Sequence, residues 1–271
     1  MAIAPHALVS PASPTAELRK AYFLHGILGS GGNLRSLAKR VLELAPGWEV
    51  VLVDLPGHGR SEPMRKPHTV SACACAVKEL AEALHKPATA LVGHSFGGKV
   101  ALVATETISD VRVCCTLDSA PGERLDHHGS ESTLKVVDVL RSLPPTFATR
   151  AEFTTLLRTA GLSDDLVAWL ALNVVAADER FRFRLDLGII EALLADYFAL
   201  DCWPILEQAS TTTFSVVIGG ASTVWDAADL ARAQQAARLA VTVVPGASHW
   251  LHVDALEATA NAIAESLLAV A

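Results

Sequence analysis

Short apolar runs alternate with longer amphipathic stretches along most of the chain. The apolar runs have the length of strands and are mostly continuous, which is typical of strands buried on both faces of a parallel sheet; they lie at Ala21–His25, Glu49–Asp54, Thr89–His94, Val111–Leu117, Thr213–Gly219 and Ala240–Val244. Helical spacing is found between them, at Leu34–Leu44, Ser71–Leu84, Gly98–Thr107, Ala227–Leu239 and Leu256–Val270. This order predicts an α/β fold with a doubly wound, mostly parallel sheet.

One region interrupts the alternation. From about Gly122 to about Trp203 the pattern predicts helices only, at Ser132–Leu143, Ala151–Ala160, Asp164–Val175 and Leu187–Leu200. We therefore divide the chain into an N-terminal extension at residues 1–20, a core at 21–121 and 204–271, and a helical insertion at 122–203, placed between two strands of the sheet.

Composition narrows the class of protein. The chain of 271 residues is 51% hydrophobic, which suits one large domain with an inserted part. A net charge of -7 without a basic cluster argues against a nucleic-acid partner. The apolar runs are too short to span a membrane, and residues 1–16 lack the pattern of a secretory signal. Five cysteines, an odd number, do not form a disulfide framework, so we expect a soluble protein in a reducing compartment, the cytoplasm or an organelle.

The segment Gly93-His94-Ser95-Phe96-Gly97 carries the strongest chemical information. It follows an apolar run and precedes a helical stretch, which is the context of a nucleophile elbow. Glycines two positions before and after the serine permit the tight turn that lifts the hydroxyl above the sheet. The sequence therefore predicts a nucleophile at Ser95.

Polar residues also end other predicted strands. The carboxyl ends of strands are where open α/β sheets gather their functional groups. A serine needs a base with the pKa of histidine, and the histidine needs a carboxylate to fix its tautomer. The candidates at these ends are His25, Asp54, Asp118 and His249.

Four segments in this order resemble the α/β-hydrolase family: His25–Ser30, Asp54–Ser61, Gly93–Gly98 and Gly246–Trp250. The resemblance extends from Ala21 to the C-terminus and looks closest to a subgroup of small esterases and thioesterases. It implies that Ser95 is the nucleophile, that His249 is the general base and that the insertion is a cap. It implies an oxyanion hole made by the backbone N–H groups of Phe96 and Ile27, with Leu28 as the alternative to Ile27. No cofactor and no metal are expected.

The acid of the triad has two candidates. Many members of the family place it after the next-to-last strand, where this chain has Ser222, with Asp226 four residues later. The subgroup that looks closest can use an aspartate after the preceding strand, which corresponds to Asp118. We favour Asp118 over Asp226.

The remaining histidines are interpreted as structural. We expect Asp54, His58 and His25 to brace a tight loop, and His94 to be packed rather than catalytic. We assign His252 to the start of a helix, and His127-His128 to solvent or the substrate entrance.

These observations predict a serine hydrolase that cleaves carboxylic ester or thioester bonds through an acyl-enzyme intermediate. Aromatic and aliphatic residues of the insertion favour a small-molecule, partly apolar substrate. Two alternatives on the same fold remain: a lyase or carbon–carbon bond hydrolase, and a small-molecule receptor without catalysis.

Overall fold

The computed structural model describes residues 3–11, 18–127, 129, 131–208 and 210–270. The strands are β1 (Pro5–Val9), β2 (Arg19–Leu24), β3 (Trp48–Val53), β4 (Ala88–His94), β5 (Val113–Leu117), β6 (Val174–Ala177), β7 (Arg180–Phe183), β8 (Thr213–Gly219) and β9 (Leu239–Val244). The helices are α1 (Arg35–Leu44), α2 (Val70–Ala83), α3 (Phe96–Thr105), α4 (Glu131–Ser142), α5 (Arg150–Thr159), α6 (Asp164–Ala171), α7 (Leu187–Ala199), α8 (Trp203–Glu207), α9 (Ala227–Gln235), α10 (Leu251–Asp254) and α11 (Leu256–Leu268).

A seven-stranded sheet in the order β1-β3-β2-β4-β5-β8-β9 forms the centre of the protein. Neighbouring strands are parallel except for β1, which runs antiparallel to β3. Alternate residues of each inner strand enter two different cores, so that Tyr22 and Leu24 pack on one face while Ala21 and Phe23 pack on the other. This burial on both faces confirms the predicted α/β fold and explains why the strands read as continuous apolar runs.

Strand β1 lies within the segment that the sequence assigned to an extension. It pairs with β3 at the edge of the sheet, and most of its residues are half-buried. An edge strand that is half exposed to solvent has a weaker hydrophobic pattern than an inner strand, and β1 was therefore not predicted. Residues 1, 2 and 12–17 of that segment lie outside the described residues.

The insertion connects β5 to β8 and contains a β-hairpin, so the prediction of helices only was wrong. The predicted helix at Asp164–Val175 ends as α6 at Ala171, and β6 and β7 pair in an antiparallel hairpin. Asp178 makes its turn with a φ of 52°. The β-branched pair Val174-Val175 and the alternating segment Arg180–Phe183 suit a strand better than a helix.

Lys99 of α3 joins the insertion to the core. Its side chain is fully buried, and its ammonium group donates to the backbone carbonyl oxygens of Gly122, Tyr197 and Leu200 at 2.7 to 2.9 Å. Gly122 lies shortly after β5, Tyr197 belongs to the last turn of α7, and Leu200 directly follows that helix. The side chain of Lys99 thereby holds the segment that follows β5 and the end of α7 close together. Within the described residues, none of the helices combines the length and the hydropathy that crossing a membrane requires.

Candidate active site

Ser95 occupies the turn between β4 and α3 in a strained backbone conformation. Its φ is 53° and its ψ is -119°, a region that residues other than glycine rarely adopt. A Cβ atom on Gly93 would lie 2.1 Å from the carbonyl oxygen of Gly97, and one on Gly97 would lie 2.4 Å from that of Leu24. The glycines on either side of Ser95 are therefore required by space, and the turn has the form of a nucleophile elbow.

His249 connects Ser95 to Asp118. Its Nε2 atom lies 3.0 Å from the hydroxyl oxygen of Ser95, and its Nδ1 atom lies 2.7 Å from Oδ2 of Asp118. These contacts fit a neutral imidazole that donates from Nδ1 to the carboxylate and accepts from the serine hydroxyl at Nε2. Three segments that are distant in sequence meet because β4, β5 and β9 end at the same edge of the sheet.

Asp118 is the carboxylate that contacts His249, whereas Asp226 lies elsewhere. Asp118 is fully buried, and its oxygens also accept from the backbone N–H of Gly219 and from the hydroxyl of Ser222. Asp226 is exposed and caps α9 by accepting from the backbone N–H of Asp229 at 2.7 Å.

Ser222 is a residue of the site that the sequence reasoning did not assign. The sequence shows only that Ser222 stands where many members of the family have their acid. In the structure its hydroxyl donates to Oδ2 of Asp118, the same oxygen that accepts from His249. A serine on one loop therefore supports a carboxylate that comes from the neighbouring loop.

The backbone N–H groups of Phe96 and Ile27 belong to residues that lie beside Ser95. Phe96 is the first residue of α3, where the helix offers its N–H no partner. The N–H of Leu28 is engaged with Nε2 of His58 at 3.3 Å, whereas no described residue accepts from the N–H of Ile27. Ile27 and Phe96 both line the crevice beside Ser95, so their N–H groups are better placed than that of Leu28 to receive an anionic oxygen.

His25 and His58 brace the loops below the site. His25 accepts the N–H of Leu55 at Nε2 and donates from Nδ1 to the carbonyl of Gly26. His58 donates in the same way to the carbonyl of Pro56. Burial, reinforced by the neighbouring His58, lowers the pKa of His25 to about 3, and burial also lowers the pKa of His58.

Asp54 supports the same loops through its carboxylate. Its two oxygens accept from the backbone N–H groups of Gly31 and Arg60, both at 2.8 Å. These contacts hold Asp54 within the loop rather than in the crevice.

His94 and His252 hold the segment that carries His249. Nε2 of His94 donates to the backbone carbonyl oxygen of His249 at 2.9 Å, and the two rings lie 4.8 Å apart. His252 lies in the short helix α10 and is only 7% exposed. Burial and the neighbouring His249 lower the pKa of His252 to about 4, and burial lowers the pKa of His94 well below its usual value.

The crevice between the core and the insertion has two lobes that meet at Ser95 and His249. The larger lobe has a volume of about 610 Å³ and is bounded by α4, α6 and the loop after His25. The smaller lobe has a volume of about 230 Å³ and is bounded by Arg124, α7 and the loop after β8. Trp250 lines both lobes and touches Trp169 of the insertion, with their ring centres 5.0 Å apart.

Only some of the aromatic and aliphatic residues of the insertion line the crevice. Trp169 lines the larger lobe, and Tyr197 and Phe198 line the smaller one. Phe147 and Phe153 instead pack on each other inside the insertion. His127 contacts the ring of Phe198, while His128 lies outside the described residues. Among the described side chains, no group of His, Cys, Asp and Glu has the arrangement of a metal site.

The doubly wound sheet, the elbow and the contact of serine, histidine and aspartate at its carboxyl edge define the class of α/β hydrolases. The chain belongs to the alpha/beta hydrolase family, whose model matches residues 21–262.

Relatives of known activity act on esters. The chain is 28% identical to the sn-1-specific diacylglycerol lipase ABHD11 of Mus musculus over 251 residues, which cover 88% of this chain and 78% of that protein. It is 39% identical over 102 residues, or 36% of each chain, to the pimeloyl acyl-carrier-protein methyl ester esterase of Xanthomonas campestris pv. campestris (strain B100). Ester hydrolysis is the activity that these relatives support.

Solved structures of other hydrolases share the fold. A marine microorganism esterase superposes with a TM-score of 0.81 at 23% identity, covering 96% of this chain and 97% of that one. The thioesterase domain from the curacin biosynthetic pathway superposes with a TM-score of 0.68 at 22% identity, covering 96% and 93%.

Proposed function

We propose that the protein is a serine hydrolase that cleaves carboxylic ester or thioester bonds with Ser95, His249 and Asp118 as its catalytic triad. The observation that carries the proposal is the continuous contact from the Ser95 hydroxyl through both ring nitrogens of His249 to a buried carboxylate. Proton transfer needs this geometry, because the base must reach the hydroxyl and the acid must hold the base in one tautomer.

The first half of the reaction forms an acyl-enzyme. The Ser95 oxygen attacks the carbonyl carbon while Nε2 of His249 takes its proton. The carbonyl oxygen becomes an anion, which the N–H groups of Phe96 and Ile27 stabilise. The tetrahedral intermediate then expels the alcohol or thiol, which receives the proton from His249.

The second half regenerates the enzyme. Water gives a proton to His249 and attacks the acyl carbon, a second tetrahedral intermediate forms, and the acid leaves as Ser95 regains its proton. Asp118 stays ionised and stabilises the imidazolium that forms twice in each cycle.

We propose that residues 122–203 act as a cap and that the substrate is partly apolar. Val136, Leu166 and Trp169 of this segment line the larger lobe, which suits an apolar substituent of the substrate. The five cysteines are free, and burial raises the pKa of the Cys115 thiol to about 11, which keeps it protonated and unreactive. This supports the proposal that the protein works in a reducing compartment.

A direct test compares the wild-type protein with Ser95→Ala on p-nitrophenyl butyrate and on a fluorophosphonate probe. The variant lacks the attacking oxygen, so we expect kcat to fall by at least about 10³-fold and covalent labelling to disappear. Ser109→Ala, at an exposed serine remote from the crevice, is the matched control and should retain both.

Two other outcomes would separate the alternatives. Labelling of Ser95 without turnover of any simple ester would favour a lyase or carbon–carbon bond hydrolase on this fold. A wild-type protein that neither reacts with the probe nor cleaves esters would favour a receptor. Full turnover by a folded Ser95→Ala variant would reject Ser95 as the nucleophile.

A further inference from the structure

A positively charged side chain, that of Arg124, forms part of the wall of the smaller lobe. Arg124 is only 6% exposed and lines this lobe together with Tyr197 and Phe198. Its guanidinium donates to the hydroxyl oxygen of Tyr197 at 3.0 Å and lies 5.4 and 5.7 Å from the ring centres of Tyr197 and Phe198. These contacts fix the orientation of the guanidinium. Within the described chain it is the one arginine or lysine that lines the lobe.

A second buried cation lies against the same aromatic ring. The Lys99 ammonium is 4.6 Å from the ring centre of Tyr197, and its hydrogen-bond acceptors are neutral carbonyl groups. Burial lowers the pKa of Lys99 to about 8; the positive charge of Arg124 acts in the same direction, while Cys202, Asp201 and Asp229 act against it. Two positive charges around one ring favour an anion in the lobe between that ring and Ser95.

The carboxylates near Arg124 line a different space. Glu123, Asp126, Asp226 and Asp229 surround an outer pocket that Arg124 and Val224 also line and that does not include Ser95. Their charge offsets part of the charge of Arg124 from the outer side. No described aspartate or glutamate lines the smaller lobe itself. Arg124 thus stands between an acidic pocket and the lobe at the nucleophile.

We propose that the substrate is an ester whose substituent in the smaller lobe carries a compact anionic group, a carboxylate or a phosphate, and that Arg124 binds this group. This inference rests on the proposed function and names its substrate class. A guanidinium presents forked N–H donors that match the oxygens of such anions. A lobe of about 230 Å³ holds a short chain, while the lobe of about 610 Å³ receives the apolar substituent on the other side of the ester bond.

Matched pairs of esters that differ only in charge test the proposal. For an anion on the acyl side, the pair is mono-p-nitrophenyl adipate and its methyl ester. For an anion on the alcohol side, the pair is 4-carboxyphenyl butyrate and its methyl ester. For each ester, kcat/KM is divided by the rate constant of its non-enzymatic hydrolysis by hydroxide. The preference is the ratio of this normalised value for the anionic member to that for the neutral member. It is measured for the wild-type protein, Arg124→Met and Arg150→Met.

We expect the wild-type protein to prefer the anionic member of one pair by about tenfold or more. Arg124→Met should bring that preference close to one, because the anionic member loses the charge that binds it and the neutral member does not use that charge. Arg150, which packs over Phe181 and lines neither lobe, is the control, and its variant should keep the preference. If Arg124 had only a structural role, its replacement would lower kcat/KM for both members of a pair by the same factor.

Several results would overturn the inference. It fails if the wild-type protein has no preference in either pair, or if Arg124→Met keeps the preference. If Arg124→Met does not fold, Arg124→Gln replaces it, because glutamine is polar but uncharged; a reduced preference then supports the inference and an unchanged one rejects it. Turnover of neutral esters that is lost in Ser95→Ala would show that ester hydrolysis stands even where the charge preference fails.

Discussion

Asp118 and Asp226 have the same side chain, but their surroundings differ, and so do the contacts that their carboxylates make. Asp118 is enclosed by His249, Ser222 and the N–H of Gly219, so that each of its oxygens is held. Asp226 faces solvent and stabilises the first turn of α9. A carboxylate can orient an imidazole only when it is itself held in place, and in this structure that condition is met at Asp118.

Two asparagine variants test this assignment. Asp118→Asn should lower kcat for p-nitrophenyl butyrate by about 10³- to 10⁴-fold, because an amide does not stabilise the imidazolium and favours the wrong tautomer. Asp226→Asn should retain activity within about twofold, since asparagine caps a helix as well as aspartate does. Steady-state kinetics with both variants, checked for folding by circular dichroism, decides the matter. The opposite order of losses would transfer the acid to Asp226.

At the scale of elements, the turn between β4 and α3 shows how local geometry creates a site. The positive φ of Ser95 lifts its hydroxyl toward His249, and this conformation persists because the turn packs closely against β2 and α3. The hairpin of β6 and β7 shows the opposite case. Its two strands have only four residues each, too few for their alternation to stand out against the neighbouring helices, and a bridge between Phe147 and Phe181 adds a further pairing.

A pair of alanine substitutions tests the steric role of the elbow. Gly93→Ala should lower the free energy of unfolding by at least about 2 kcal/mol, because its Cβ would lie 2.1 Å from backbone that cannot move without displacing α3. Gly47→Ala is the control, because its Cβ would meet only the end of the Arg19 side chain at 3.9 Å. Urea denaturation gives both values. Equal stability of the two variants would show that the turn tolerates a side chain at position 93.

At the scale of the whole molecule, burial of histidines couples stability to pH. His25, His58, His94 and His252 are all buried, and burial lowers the pKa of each. Below pH 6.5 these side chains bind protons in the unfolded chain but stay neutral in the folded one. Acid therefore favours unfolding, and the stability present above pH 6.5 is lost progressively toward the folded pKa values, about 4 for His252 and about 3 for His25.

We expect the free energy of unfolding to fall steeply between pH 6.5 and pH 5. Each histidine that stays neutral in the folded state contributes a slope of about 1.4 kcal/mol per pH unit. Urea denaturation at half-unit intervals measures this slope, which should be smaller in His252→Asn. His85→Asn is the control, because His85 is exposed and asparagine tolerates its positive φ of 51°. A slope near zero in the wild-type protein would contradict the expectation.

The sequence alone determined the six parallel strands of the sheet, the elbow at Ser95 and the segments that carry His249 and Asp118. These features depend on local chemistry: strands buried on both faces must be apolar, and a tight turn must have glycine. The contact of Asp118 rather than Asp226 with His249, the hydrogen bond of Ser222 and the hairpin of the insertion were decided by tertiary structure. So was the position of Arg124 in one lobe of the crevice. They depend on contacts between distant parts of the chain, as between His249 and Asp118, 131 positions apart, and such contacts exist only after the chain has folded.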